Sequence, residues 1–130
     1  MKILFIDDDA MNRRVVKDML DVVGASMDEA DSAEAGLTRI DQGDYAVILM
    51  DLRMPGMDGL TATRHVRQRP DAKARLPIIV VTADTSADLQ QRCASAGADD
   101  VLMKPVAMAS LIDTIGKLMA RTDGFDIMLN

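Results

Sequence analysis

A single cysteine, Cys93, stands among 130 residues, so no disulfide framework can staple the chain, and a reducing cytosolic setting suits it. Cys93 itself reads as a small buried residue on a helix. Membrane-spanning length is missing too, because no stretch approaches the ~20 apolar residues that a bilayer-crossing helix needs. The opening apolar run, Ile3 to Ile6, is far too short for a signal peptide and ends at Asp7, so a cytoplasmic location without membrane attachment is expected. Basic charge is scarce, with 15 Lys and Arg against 21 Asp and Glu and a formal net charge of −6. Phosphate backbones are held by clustered cations, so nucleic acid is not expected as a direct partner. Arg13, Arg14, Arg64, Arg67 and Arg69 read as parts of solvated helix faces. The one histidine, His65, has no metal-binding company and reads as a surface residue of a helix. Internal repeats and low-complexity segments are also absent.

What is present is enough for one domain with a real core: 48% of the residues are hydrophobic. Short apolar runs alternate with helical stripes about five times. Ile3 to Ile6 predicts a strand. Met11, Val15, Met19 and Val23, with Val16 and Leu20 beside them, predict a core-facing helix stopped by Gly24. Ser26 to Ala30, with Asp28 and Glu29 inside it, predicts an edge strand. Ser32 predicts the N-cap of a helix running to about Gln42, closed by Gly43. Ala46 to Met50 is apolar throughout, as in a strand covered on both faces, and ends at Asp51. Then follow a loop with Pro55 and Gly56, a helix from about Gly59 to Gln68, and a polar connection from Pro70 to Leu76. Pro77 to Thr82 is the most β-branched run in the chain and predicts another buried strand. A fourth helix is expected over Ser86 to Ala96, a fifth strand over Asp99 to Met103, and a last helix carrying Leu111, Ile112, Ile115, Leu118 and Met119. Such alternation implies βα units, with a parallel sheet covered by helices on both faces.

In an open parallel sheet, ligands bind beyond the carboxyl ends of the strands, where strand order reverses. The first strand ends in Asp7-Asp8-Asp9, the third in Asp51, the fourth in Thr82 and the fifth in Lys104. With strand order 2-1-3-4-5, the first and third strands flank the reversal. Carboxylates crowded at one rim repel each other, and Mg²⁺, which favours oxygen ligands, relieves that repulsion. A carboxylate can also be a nucleophile and form an acyl phosphate. Phosphoryl transfer chiefly needs positioning and positive charge on the equatorial oxygens, which a metal and Lys104 would supply, with a hydrogen bond from Thr82. Taken singly, Asp9 reads better as a helix N-cap, Asp51 as a turn residue, Thr82 as a cap and Lys104 as a surface charge. Their joint placement at successive strand ends is not explained that way.

Over residues 2 to 121 the sequence resembles the receiver domain of two-component response regulators. The resemblance rests on Asp7-Asp8, on Met50-Asp51-Leu52-Arg53-Met54-Pro55-Gly56-Met57-Asp58-Gly59, on Thr82-Ala83, and on Gly97-Ala98-Asp99-Asp100 leading to Lys104-Pro105. It implies a flavodoxin-like (βα)5 α/β fold with a doubly wound parallel sheet of order 2-1-3-4-5. Residues 1–121 would form the receiver and 122–130 a C-terminal tail. Asp51 is then the phosphoacceptor, in a Mg²⁺-dependent (or Mn²⁺-dependent) reaction. Asp8 and Asp51 bind the metal directly, Asp7 acts through water, and the Arg53 backbone carbonyl is a further ligand. Thr82 and Lys104 contact the phosphoryl group, and the Lys104–Pro105 bond is expected to be cis. The donor is a histidine kinase or histidine phosphotransfer protein, and the signal leaves through a protein effector. A monomer or weak dimer is expected. The module catalyses its own phosphorylation and dephosphorylation rather than turning over a separate substrate. Were it a piece of a hybrid protein, the parent would be a histidine kinase.

The departures are informative. The family commonly carries Tyr or Phe three residues before the lysine, where this chain has Val101. With two Phe, one Tyr and no Trp, no substitute for that switch aromatic offers itself. Arg53 and Asp84 occupy positions that tune phosphoryl lifetime in the family, and a pair between them would restrict attacking water. Asn12, in Asp-Asp-x-x-x-Asn spacing, resembles the receivers of hybrid histidine kinases. Two alternatives stay open at this point. One is a degenerate receiver that binds partners without phosphorylation, favoured by Val101. The other is a haloacid-dehalogenase-like phosphatase, which Asp7-x-Asp9 fits in part, although Met11 departs from its motif and Asp51 is left idle. The residues Phe125, Ile127, Met128 and Leu129 make the tail apolar for a linker, as if to pack on its own domain or on a neighbour.

Overall fold

The computed structural model describes residues 1–121 with their side chains and the backbone as far as 129. The expected packing of the 122–130 tail lies outside the described side chains. In chain order the elements are β1 (Lys2–Ile6), α1 (Ala10–Val22), β2 (Ser26–Ala30), α2 (Ala33–Gln42), β3 (Val47–Asp51), α3 (Gly59–Arg67), β4 (Ile78–Thr82), α4 (Leu89–Ala96), β5 (Asp100–Met103) and α5 (Met108–Leu129). The five strands are all parallel and lie in the order β2-β1-β3-β4-β5, the flavodoxin-like arrangement expected from the sequence.

Strand side chains alternate between the two faces of the sheet. On one face Ile3, Phe5, Val47, Leu49, Ile79 and Val81 pack under α1 and α5, meeting Val16, Leu20, Leu111 and Ile115. On the other, Leu4, Ile6, Ile48, Met50 and Ile78 pack under α2 and α3, meeting Ile40, Ala62 and Val66. Both faces of β3 and β4 are covered, which is why those strands are buried from end to end. Asp9 caps α1 and Ser32 caps α2, each accepting a backbone N–H.

The expected stripe on α1 needs correction. Val16 and Leu20 reach the core and Met19 packs at its margin, but Met11, Val15 and Val23 are exposed. Residues 15 and 16 lie about 100° apart around a helix, and α1 turns the row of Val16 and Leu20 to the sheet, leaving Met19 alone of the adjacent row at the core margin. The fourth helix starts at Leu89, not Ser86. The Asp84 carboxylate accepts the Ser86 N–H (2.7 Å) and hydroxyl, a local turn that competes with helix formation. Arg13, Arg67 and Arg69, read as solvated, have side chains only 15%, 22% and 21% exposed. Arg67 donates to the carbonyls of Gly97, Ala74 and Leu76 and to Asp99. Cys93 is buried on α4, and His65 is exposed on α3. Among the described residues, no helix is long and apolar enough to cross a membrane.

Candidate phosphoryl site at the switch point

Because β1 and β3 are neighbours and run on to opposite faces, their carboxyl ends open a crevice between the loops that follow. Asp7 and Asp8 stand at the end of β1, and Asp51 is the last residue of β3. Asp7 and Asp51 are buried while Asp8 is exposed. One carboxylate oxygen from each lies within 4.8 Å of the others. The crevice is about 520 Å³, and Asn12, Arg53, Thr82, Asp84 and Lys104 also line it.

Each group is held by its neighbours. Asp7 accepts the Asp9 N–H on Oδ1 (2.9 Å) and the Asn12 amide on Oδ2 (3.4 Å), while Arg13 donates to its carbonyl (2.6 Å). Lys104 reaches in from the β5–α5 loop, its Nζ 3.1 Å from Asp7 Oδ2 and 3.0 Å from Asp51 Oδ1. Its backbone N–H donates to the Thr82 carbonyl (2.8 Å), and the Lys104–Pro105 bond is cis. Thr82 Oγ1 accepts the Asp84 N–H (3.0 Å), and Arg53 Nη2 lies 3.0 Å from Asp84 Oδ2. At the end of β3, Gly59 lets α3 come close: a Cβ there would stand 2.1 Å from the Asp51 carbonyl oxygen. Asp58 caps that helix by accepting the Thr61 N–H (2.8 Å).

The electrostatics follow from crowding. Burial pushes the Asp51 carboxyl up to about 6; Lys104 pulls it back and the charge of Asp7 adds to the rise. Burial also disfavours the Lys104 ammonium, but its bonds to Asp51 and Asp7 outweigh that and hold it above its ordinary value. Three carboxylates against one lysine leave negative charge to be neutralised. A small cluster of carboxylates is the donor set that a hard divalent cation such as Mg²⁺ takes, so the residues fit the metal.

The structure brings together all the site residues singled out in the sequence except Val101. Val101 lies half-buried in β5 and packs against the cluster of Val80, Leu89 and Cys93. Sequence reasoning missed Arg13, which ties α1 to Asp7, and Arg92 on α4, whose Nη2 lies 3.1 Å from Asp84 Oδ2. No spacing rule pointed to either, because both act through contacts made only on folding.

An open parallel sheet of order 2-1-3-4-5, with an acidic cluster and a lysine at its switch point, is the receiver architecture of two-component signalling. Residues 3–116 match the response regulator receiver domain family, and the chain belongs to that family. It is 32% identical to chemotaxis protein CheY-3 of Vibrio cholerae over 122 residues, 93% of each chain. It is 34% identical over 123 residues to the sensory/regulatory protein RpfC of Xanthomonas campestris pv. campestris, covering 94% of this chain and 17% of that protein. The chain thus spans 7 to 17% of the length of the sensory and hybrid kinase relatives it matches. The receiver domain of sensor histidine kinase PA1611 from Pseudomonas aeruginosa superposes with a TM-score of 0.83 at 30% identity, over 92% of this chain and 97% of that one. That neighbour holds a magnesium ion in its active-site cleft. Membership of the receiver family leaves the phosphatase alternative without support.

Proposed function

We propose that the chain accepts a phosphoryl group onto Asp51 from the phosphohistidine of a histidine kinase or histidine phosphotransfer protein, and passes the signal on by protein–protein contact. An Asp51 carboxylate oxygen forms the new P–O bond as the P–N bond to the donor imidazole breaks. The electron pair returns to the imidazole, leaving an aspartyl phosphate. Asp8, Asp51 and the Arg53 carbonyl would hold Mg²⁺ (or Mn²⁺) directly and Asp7 through water, and the ion would supply positive charge to the phosphoryl oxygens. Lys104, already bonded to Asp51, would shift onto the transferred group, and the Thr82 hydroxyl would donate to it while still accepting the Asp84 N–H. The observation that carries this reading is Asp51 itself: a buried carboxylate at the switch point, within bonding distance of Lys104 and clustered with Asp7 and Asp8.

The test is phosphorylation by acetyl phosphate with Mg²⁺. One added phosphoryl mass, lost on Asp51→Asn or with chelator, is expected. No added mass would instead favour the phosphorylation-independent receiver, the reading that Val101 keeps alive. A phosphodonor must approach the open mouth of the crevice, and Met11 and Val15 stand 69% and 41% exposed on α1, whose first turn forms part of that mouth. They suit the apolar face of a donor helix. We further assign residues 1–121 to the receiver and 122–130 to a tail, in a cytoplasmic setting shared with the donor.

A further inference from the structure

With no aromatic at Val101, something else must join the phosphoryl site to the helices around it. Asp84 is placed to do so. Its side chain is only 3% exposed, and both of its oxygens are fully engaged. Oδ1 accepts the Ser86 N–H and hydroxyl; Oδ2 accepts Nη2 of Arg53 (3.0 Å) and Nη2 of Arg92 (3.1 Å). Two guanidiniums therefore share one oxygen. They come from different sides: Arg53 from the loop after Asp51, with its side chain 77% exposed, and Arg92 from α4. Arg92 reaches two carboxylates, Asp84 and Asp88. Its Nε is buried without a hydrogen bond and faces Asp88 only as an ion pair at 3.3 Å. Asp88, in turn, makes no side-chain cap for α4.

We propose that Arg92 is a positioning residue for the phosphorylated state: by sharing Asp84 it leaves Arg53 free to exchange between Asp84 and the phosphoryl group on Asp51, and so couples the lifetime of that group to α4. A carboxylate as buried as Asp84 resists giving up its only cation, because an unpaired buried charge is costly. With Arg92 in place, Arg53 can leave and Asp84 stays paired. Without Arg92, Arg53 is held on Asp84, where the pair lines the mouth beside Asp51 and narrows the path of attacking water. By linkage, anything that draws Arg92 away by binding α4 prolongs the phosphorylated state. The inference rests on the reading of Asp51 as phosphoacceptor.

The experiment follows acetyl-phosphate labelling and the decay of the aspartyl phosphate in the full chain, in wild type, Arg92→Gln, Arg92→Lys, Arg53→Ala and the double variant Arg53→Ala/Arg92→Gln. Arg92→Gln is expected to lengthen the half-life by about threefold or more while leaving the labelling rate unchanged, and Arg92→Lys to return it toward wild type. In the Arg53→Ala background, Arg92→Gln is expected to change nothing. An unchanged half-life in Arg92→Gln, or an equal lengthening in the double variant, overturns the inference alone. Failure of the wild type to label overturns the reading of Asp51 and the inference with it. Because the single and double variants share the loss of Arg92, any general loosening of α4 appears in both and counts against the coupling.

Discussion

The two ends of the sheet use the same residue types to opposite effect. At the amino end, charges settle what the loops leave unpaired. Arg67 closes three carbonyls and pairs with Asp99, which also accepts the Ile78 N–H (2.8 Å). Lys73 Nζ donates to the carbonyls of Ile40 (2.6 Å) and Gly43 (3.0 Å), and Asp28 accepts the Tyr45 hydroxyl (2.6 Å) beside Lys2. At the carboxyl end, Asp7, Asp8 and Asp51 meet a single lysine, and burial holds the Asp51 proton more tightly than water would. One end is electrostatically closed and stabilises the fold. The other keeps an unpaid negative charge, which is what a cation and a phosphoryl group can use.

The contrast breaks most visibly at Arg67. Arg67→Ala would strand three carbonyls and leave Asp99 with the Ile78 N–H and, among the described residues, the Arg121 side chain at 3.5 Å as its one remaining cation. A loss of about 3 kcal/mol is expected in urea unfolding, with Mg²⁺ affinity unchanged. An equal loss of Mg²⁺ binding would show that the two ends are not separable. Asp51→Asn should do the reverse. The carboxyl of Asp51 ionises near 6 in the folded chain and near 3.9 unfolded, so its ionisation favours the unfolded state. Stability from this group is complete below about pH 3.9 and is lost as pH rises through about 6. Without divalent cation, Asp51→Asn is therefore expected to be more stable than wild type by about 2 kcal/mol at pH 7, with the gap closing at pH 4. A gap that persists at pH 4 would trace the gain to packing rather than charge. Mg²⁺ should erase the gap from the other side, raising wild-type stability by about 2.7 kcal/mol at a hundred times its Kd and leaving the variant little changed.

The strands and the site's charged residues were legible because they are written as runs with abrupt ends: Val47 to Met50 stops at Asp51, and Ile78 to Val81 at Thr82. The reversal of strand order at β1 and β3 then brings the ends together. What stayed illegible depends on reach and rotation. Periodicity showed two apolar rows on α1 but not which one the sheet would touch, and the row with Met11 and Val15 lost. Arg13, Arg67 and Arg92 have long stems whose heads find partners 6 to 32 residues away or across a local turn, and a linear pattern carries no record of those partners. The start of α4 was misplaced because Asp84 captures Ser86, a choice made by one side chain against helix propensity.

The smallest expected effect on stability is also the one that asks most of the open end. Met11 is 69% exposed on the first turn of α1, so Met11→Asp removes little buried surface and should shift unfolding by less than about 0.5 kcal/mol. Near the Asp7–Asp8 cluster, however, the added charge would face any apolar helix that docks at the mouth of the crevice. Labelling by acetyl phosphate needs no docking and should proceed at close to the wild-type rate. Transfer from a phosphorylated histidine phosphotransfer protein should slow by about tenfold, the cost of burying one charge at an apolar contact. Stopped transfer kinetics from both donors, run side by side, separate the two. If both rates fall together, the charge acts on the carboxylates and the apolar row on α1 has no part in choosing the donor. If only the protein donor suffers, the residues that the sheet left uncovered are where the open end meets its partner.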